Sequence, residues 1–168
     1  MTAIVADSGT PADQLPHFDR LPAEHLFDMY VELQPAQLIS TTLGTRLTFI
    51  TDGGVVDGPR LRGELLPGGG DWLIVGSDQI GRIDVRATLC THDGALIHYE
   101  TRGVIKVPAD GLDRLAAGQA LPFGETYVRT TPKFETADDR YLWLNEIVAV
   151  GYNVLSPNHI DYRVYRVL

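Results

Sequence analysis

Cysteine is almost missing from this 168-residue chain, with Cys90 standing alone. That excludes a disulfide within the chain and a cysteine-built zinc cage, and it fits an intracellular protein. Positive charge is also short. Fourteen Lys and Arg against twenty-two Asp and Glu give a net charge of -8, which repels phosphodiester backbones and anionic lipid and argues against nucleic acid or a membrane as partner. No segment approaches the roughly 20 apolar residues that span a bilayer. The opening MTAIVADSGTPADQLPHFDR has no basic stretch followed by an apolar core, so a cytoplasmic protein is expected. Long helical patterns are missing too, which rules out a nucleotide-binding alternation of strands and helices. There is no G-x-S-x-G elbow, and Cys90 has no basic neighbour in sequence, so covalent catalysis has little support.

What is present is an apolar share of 44%, enough to bury a core, arranged in short β-rich stretches between glycine and acid turns. This rhythm predicts strands at Phe27 to Leu33, Thr45 to Thr51, Arg60 to Leu66, Trp72 to Ser77, Arg82 to Cys90, Ala95 to Val107, Thr126 to Phe134, Tyr141 to Val154 and Ile160 to Val167. One short helix is expected at Leu112 to Gly118. Eight or nine sequential strands with short links predict an all-β fold, a single antiparallel up-and-down β-barrel over residues 23–168, preceded by a partly disordered tail over 1–22.

Two turns set the expected faces. Taking Asp93 and Gly94 as a two-residue hairpin pairs Cys90 with Ile97, Thr88 with Tyr99 and Arg86 with Thr101 on one face, and Leu89 with His98 on the other. Neither face is then simply apolar, which predicts a polar lumen or an outer wall covered in a homo-oligomer. Taking Asp138 and Asp139 as a second turn pairs Phe134 with Trp143 and sets Pro132 opposite Asn145, with a bend at the proline. Tyr127 and Arg129 share a face before that bend, and Trp143 and Asn145 share one after it.

Aromatic walls around an arginine and an amide suit a small-molecule pocket; the structural alternative is an aromatic core cluster beside a salt-bridged surface arginine. The run PGGGDW, Pro67 to Trp72, enters a strand with an acid rather than a helix with a lysine, so it is no phosphate cradle. It reads as a strand connection at the barrel rim, with two alternatives for its end: Asp71 and Trp72 border the pocket mouth, or Asp71 accepts hydrogen bonds from turn amides. His92, Asp93, His98 and Glu100 lack the ligand spacing of cupin barrels, and no metal or other cofactor is expected.

The segments GPRLRGELLPGGGDWL, DVRATLCTHDGALIHY and YVRTTPKFETADDRYLWLNEIVAVG resemble, in order and spacing, domain-of-unknown-function family 3237. The resemblance implies one β-barrel, similar in shape to allene oxide cyclase and dirigent-like barrels, often oligomeric, with a hydrophobic small molecule in its lumen. It supplies no catalytic signature. The residues suggest a cofactor-independent lyase, isomerase or cyclase acting on a small aromatic or polyketide-like molecule. Arg129 and Arg86 would hold an anionic portion, and Asp71 or Tyr99 would move a proton. Trp72, Phe134, Trp143, Asn145 and Tyr127 would bind substrate. The alternative is a lipocalin-like binding protein without catalysis.

Overall fold

The computed structural model describes residue 16 and residues 18–168, so most of the expected tail lies outside the described residues. Ten strands form one antiparallel sheet: β1 (Ala23–Leu33), β2 (Gln37–Thr41), β3 (Gly44–Asp57), β4 (Gly63–Leu65), β5 (Gly70–Val75), β6 (Gly81–Thr91), β7 (Leu96–Lys106), β8 (Tyr127–Glu135), β9 (Ala149–Leu155) and β10 (His159–Val167). The order β1-β10-β9-β8-β7-β6 continues through β4 and β5 to β3, and β3 pairs with β1. The sheet is thereby a closed barrel of eight positions, because β4 and β5 fill one position in turn between β3 and β6. β2 extends β3 outside the wall.

Closure needs apolar positions at period two on one side of every strand. β6 supplies them in Ile83, Val85, Ala87 and Leu89, all buried, while Arg82 and Arg86 between them are exposed. β7 continues the inner face with Ile97, Tyr99 and Thr101, each 0% exposed or nearly so. The register of this hairpin differs by one residue from the expected pairing: Leu89 faces Ile97, Ala87 faces Tyr99 and Arg86 faces Glu100. Its loop holds three residues, not two. Thr91 N donates to Ala95 O at 2.9 Å, the Ala95 amide donates to the Thr91 hydroxyl at 2.8 Å, and Gly94 takes φ 86. A glycine in the left-handed region after a tight turn makes the three-residue hairpin. The slip restores one largely apolar face and one charged face.

The expected strand Tyr141 to Val154 is two things. Leu142–Glu146 is a 3₁₀ turn off the sheet, and pairing resumes only in β9. β8 meets β9 at two positions, Arg129 opposite Tyr152 and Thr130 opposite Gly151, and stops before Pro132, which has no N–H for the ladder. Phe134 and Trp143 are therefore not cross-strand partners, nor are Pro132 and Asn145. The Asn145 amide closes the loop instead: its Oδ1 accepts from Thr136 N at 2.9 Å and its Nδ2 donates to Thr136 O at 2.8 Å. Asp93 ties this loop to the β6–β7 hairpin, accepting from Tyr141 OH at 2.9 Å and pairing with Arg140 at 2.8 Å.

Two further differences complete the comparison. β2 was not expected, because all its residues are exposed and no inward alternation marks it. The helix α1 runs Gly111–Ala116, close to its expected place. The segment that follows reaches the barrel at Leu121, whose amide donates to Leu155 O at 2.9 Å and whose side chain is fully buried.

Strands come into close contact at Gly103, where an added Cβ would lie 2.1 Å from Arg129 O on β8. Gly103→Ala should cost about 3 kcal/mol of stability, lowering the thermal midpoint by roughly 6–12 °C. Circular dichroism melts of the two proteins measure this, and an unchanged midpoint would contradict so close an approach.

Candidate functional site

The glycine run is what brings an acid into the barrel. Pro67 to Gly70 lies in the wall, not at the rim, where β4 ends and β5 begins between the same two neighbours. Gly69 O accepts from Thr51 N at 2.9 Å, and Gly68 N donates to Thr51 O at 3.1 Å with Gly68 at φ 95. A Cβ on Gly69 would meet Arg86 O at 2.7 Å, and one on Gly70 would meet Phe49 O at 2.5 Å. Only glycine fits a chain squeezed between two backbones. The jog sets the register of β5 so that Asp71, paired with Phe49 and Val85, faces inward, and Trp72, paired with Thr48, faces out.

Inside, Asp71 is the one acid at mid-barrel among the described residues. Its Oδ1 accepts from the Asp84 amide at 3.0 Å. Burial pushes the carboxyl up to about 6; the Asp84 amide opposes that shift and the negative charge of Asp84 adds to it. The row continues through Val85 to Thr101 on β7. Tyr99, two residues away on the same face, has its phenol driven well above the ordinary range by burial, partly eased by Thr101. Tyr162 on β10 pairs with Asn153 on β9, and its phenol is also raised, first by burial and then by the nearby charges of Tyr99 and Asp71. Thr130 and Thr51 complete a belt of oxygens.

Five of these side chains bury an oxygen without a hydrogen-bond partner: Thr51, Tyr99, Thr101, Thr130 and Asn153. Each such group costs about 1–3 kcal/mol. Buried polar groups are ordinarily partnered, so five on one inner face call for an explanation. Below the belt the lumen is apolar, floored by Phe27, Leu89, Ile97, Phe134 and Leu144. Phe134 stacks edge-on against Phe27 at 6.1 Å and tilts against Tyr99 at 5.7 Å. Toward the β2–β3 hairpin the inward residues Leu47, Phe49 and Asp71 are only half-buried, whereas the belt oxygens are fully covered.

Asp71, Tyr99 and Phe134 thus share the lumen, and the other residues singled out in the sequence do not join them. Arg86 faces outward and pairs with Asp84 at 3.1 Å. Arg129 faces outward too, with its guanidinium 4.5 Å from the ring of Tyr152, 4.7 Å from Tyr127 and 4.9 Å from Phe123. The aromatic surround of this arginine was readable, but it belongs to the outer wall, beside a groove of about 730 Å³ that Phe123, Tyr152, Tyr165 and Tyr30 help to line. Trp72 is exposed outside, and Trp143 packs under the Arg60 guanidinium at 5.1 Å. Asn145 lines a second outer groove, of about 780 Å³, that also reaches Phe134. Sequence reasoning missed Thr51, Thr101, Thr130, Asn153 and Tyr162. The alternation Tyr99-Glu100-Thr101 in β7 carries the signal, but only the correct register shows that these residues share one interior. Among the described residues, no group of three or more His, Cys, Asp or Glu is placed to hold a metal ion.

Known proteins share this architecture. The chain is similar to the UPF0311 protein RPA1785 of Rhodopseudomonas palustris, 30% identical over 116 residues that make up 69% of this chain and 76% of that one. The crystal structure of RPA1785 superposes with a TM-score of 0.84 at 26% identity, covering 90% of this chain and all of that one. A β-barrel-like protein of Acinetobacter baumannii gives a TM-score of 0.72 at 32% identity over 90% of this chain and all of that one. An enzyme from Penicillium herquei gives 0.66 at 20% identity over 92% of this chain and all of that one, a likeness of fold. The family model for proteins of unknown function designated DUF3237 matches residues 22–167, and the chain belongs to that family.

Proposed function

We propose that the barrel is a cofactor-independent enzyme of the lyase, isomerase or cyclase type, acting on a small aromatic or polyketide-like molecule held in the lumen. One observation carries this reading: a carboxyl raised to about 6 stands among buried, unpartnered hydroxyls. A carboxylic acid near neutrality gives and takes protons at working pH. The phenol of Tyr99, kept protonated by burial, donates to an oxygen on which charge develops as the proton moves, which lowers the barrel's cost of forming an enolate or phenolate. The apolar floor takes the rings of the substrate. That the distant neighbour from Penicillium herquei is an enzyme agrees with this reading, through fold alone. A carrier needs the apolar floor but has no use for an acid that destabilises it.

The same reading includes contact between copies. β2 is an edge strand, and Leu38, Ile39 and Leu43 on its hairpin are 69%, 52% and 73% exposed, a combination that pairs readily with a second chain.

Asp71→Asn keeps the acceptor for the Asp84 amide and removes the proton. On turnover of an enolisable phenolic substrate it should lower kcat by about 10² or more, and Tyr99→Phe by about tenfold, while Arg129→Ala and Arg86→Ala stay near wild type. Wild-type turnover by Asp71→Asn would leave the carrier reading in place.

Stability moves the other way and separates lost chemistry from lost folding. The folded carboxyl titrates near 6 against an ordinary value of 3.8, so its protonated form is favoured in the fold. That stability is full below about pH 4 and lost as pH rises through about 6. Asp71→Asn should therefore be more stable than wild type at pH 7.5, by up to about 3 kcal/mol, and about equal at pH 4. Thermal melts at the two pH values decide it, and a less stable variant at pH 7.5 would refute the buried-acid assignment.

A further inference from the structure

The lumen offers polar atoms without offering a cation. Thr51, Tyr99, Thr101, Thr130 and Asn153 are each at most 4% exposed, and each holds an unpartnered oxygen. The four hydroxyls donate or accept, and the Asn153 oxygen accepts. None carries charge. Among the described residues, the inward strand positions from this belt to the open side contain no Lys, Arg or His. Arg166, at the closed end, is held by Glu24 and Glu24 in turn by Arg60. The arginines expected to hold an anion, Arg86 and Arg129, point away from the lumen.

An anion entering this space would lose its water, find no cation and meet the Asp71 carboxylate. A neutral molecule with hydroxyl or carbonyl oxygens would satisfy the orphaned groups at no electrostatic cost. We propose that the lumen selects an uncharged, oxygen-bearing ring compound, a phenol or ketone in its neutral form, and binds it with Asp71 protonated. Carboxylates, phosphate esters and other acid-bearing conjugates are excluded by the same arrangement. The inference rests on the reading of the lumen as the site, and it sharpens that reading to a substrate class.

The proton linkage follows from what surrounds the acid. β3 and β6 present Phe49 and Val85 to Asp71. The titratable groups that act on it are Asp84, through amide and charge, and Tyr162, which feels the charge of Asp71. No base faces Asp71 to stabilise its ionised form. A ligand that displaces water from the belt strengthens the preference for the protonated acid, so binding takes up a proton above pH 6 and weakens as pH rises.

Calorimetric titration of the full chain with three probes of one size tests this: 2-acetylnaphthalene, 2-naphthoate and 2-naphthylmethylamine, at pH 5.5 and 8.0, in two buffers of different ionisation heat. The ketone should bind about tenfold or more tighter than 2-naphthoate at pH 8.0, and than the amine at pH 5.5 where Asp71 is protonated, and lose about tenfold in affinity between the two pH values, with net proton uptake. Asp71→Asn should abolish the uptake and the pH dependence. Thr130→Val should weaken the ketone about three- to tenfold, and Tyr152→Ala in the outer groove should leave it unchanged. Equal or tighter binding of 2-naphthoate at pH 8.0 or of the amine at pH 5.5, still weakened by Thr130→Val, would overturn the charge selection while leaving the luminal site. Binding weakened by Tyr152→Ala alone, or no binding of any probe, would overturn both.

Discussion

Backbone pairing of β1 with β3, from Asp28 opposite Asp57 to Leu33 opposite Thr51, removes both edges of the main sheet and gives the chain an inside. Every property of the lumen depends on that closure. In an open sheet the oxygens of Thr101, Thr130 and Asn153 would meet water and the Asp71 carboxyl would titrate as an ordinary acid. Once the sheet closes, the same side chains lose solvent together, and their energies become coupled through a common low-dielectric space. The alternation of strands decides which residues pay this cost, so one register error would exchange the belt for the arginines and acids outside.

Closure also explains why three glycines stand before the acid. Nine strands fill the eight positions around the barrel because β4 and β5 share one position, and the chain must shift between them without leaving the wall. The backbones of β3 and β6 leave no space for a Cβ at Gly69 or Gly70. The acid that follows them directly, on the inner face, destabilises the fold at neutral pH. A purely structural strand would carry a valine or leucine there, as Leu73 does on the same face. Unpaired hydroxyls add to the cost. A fold that tolerates a raised acid and five orphaned oxygens in one place has its stability limited by what that place does.

Much of the fold was legible in the chain. Glycine and acid turns every ten residues, few helical patterns and strands such as RIDVRATLC marked the barrel, and Asp71 and Tyr99 were readable as candidates. The register was not. Whether Asp93-Gly94 closes a loop of two residues or three depends on Thr91, whose hydroxyl takes the Ala95 amide, and the same letters permit both. That single residue exchanges faces along all of β6 and β7, which made the walls look mixed. Asn145 misled for a related reason. Its side chain supplies the donor and acceptor that a strand backbone would, so a loop closure read as a strand carrying a pocket amide. β2 was invisible because nothing covers it, and period-two patterning records burial rather than pairing.

The separation of charge from neutral polarity is the last consequence of closure. Arg129 needs a partner for its positive charge, and on the outer wall three aromatic ring faces at 4.5 to 4.9 Å supply it without a carboxylate. Within the lumen the same guanidinium would have had to draw on Asp71, forming a buried ion pair and fixing the acid in its ionised state. By keeping every base on the outside or at the closed end, the barrel leaves Asp71 free to change protonation state as its surroundings change. An acid held by a salt bridge is electrostatically satisfied and chemically inert near neutrality; an acid set between Phe49 and Val85 that accepts from a backbone amide is neither.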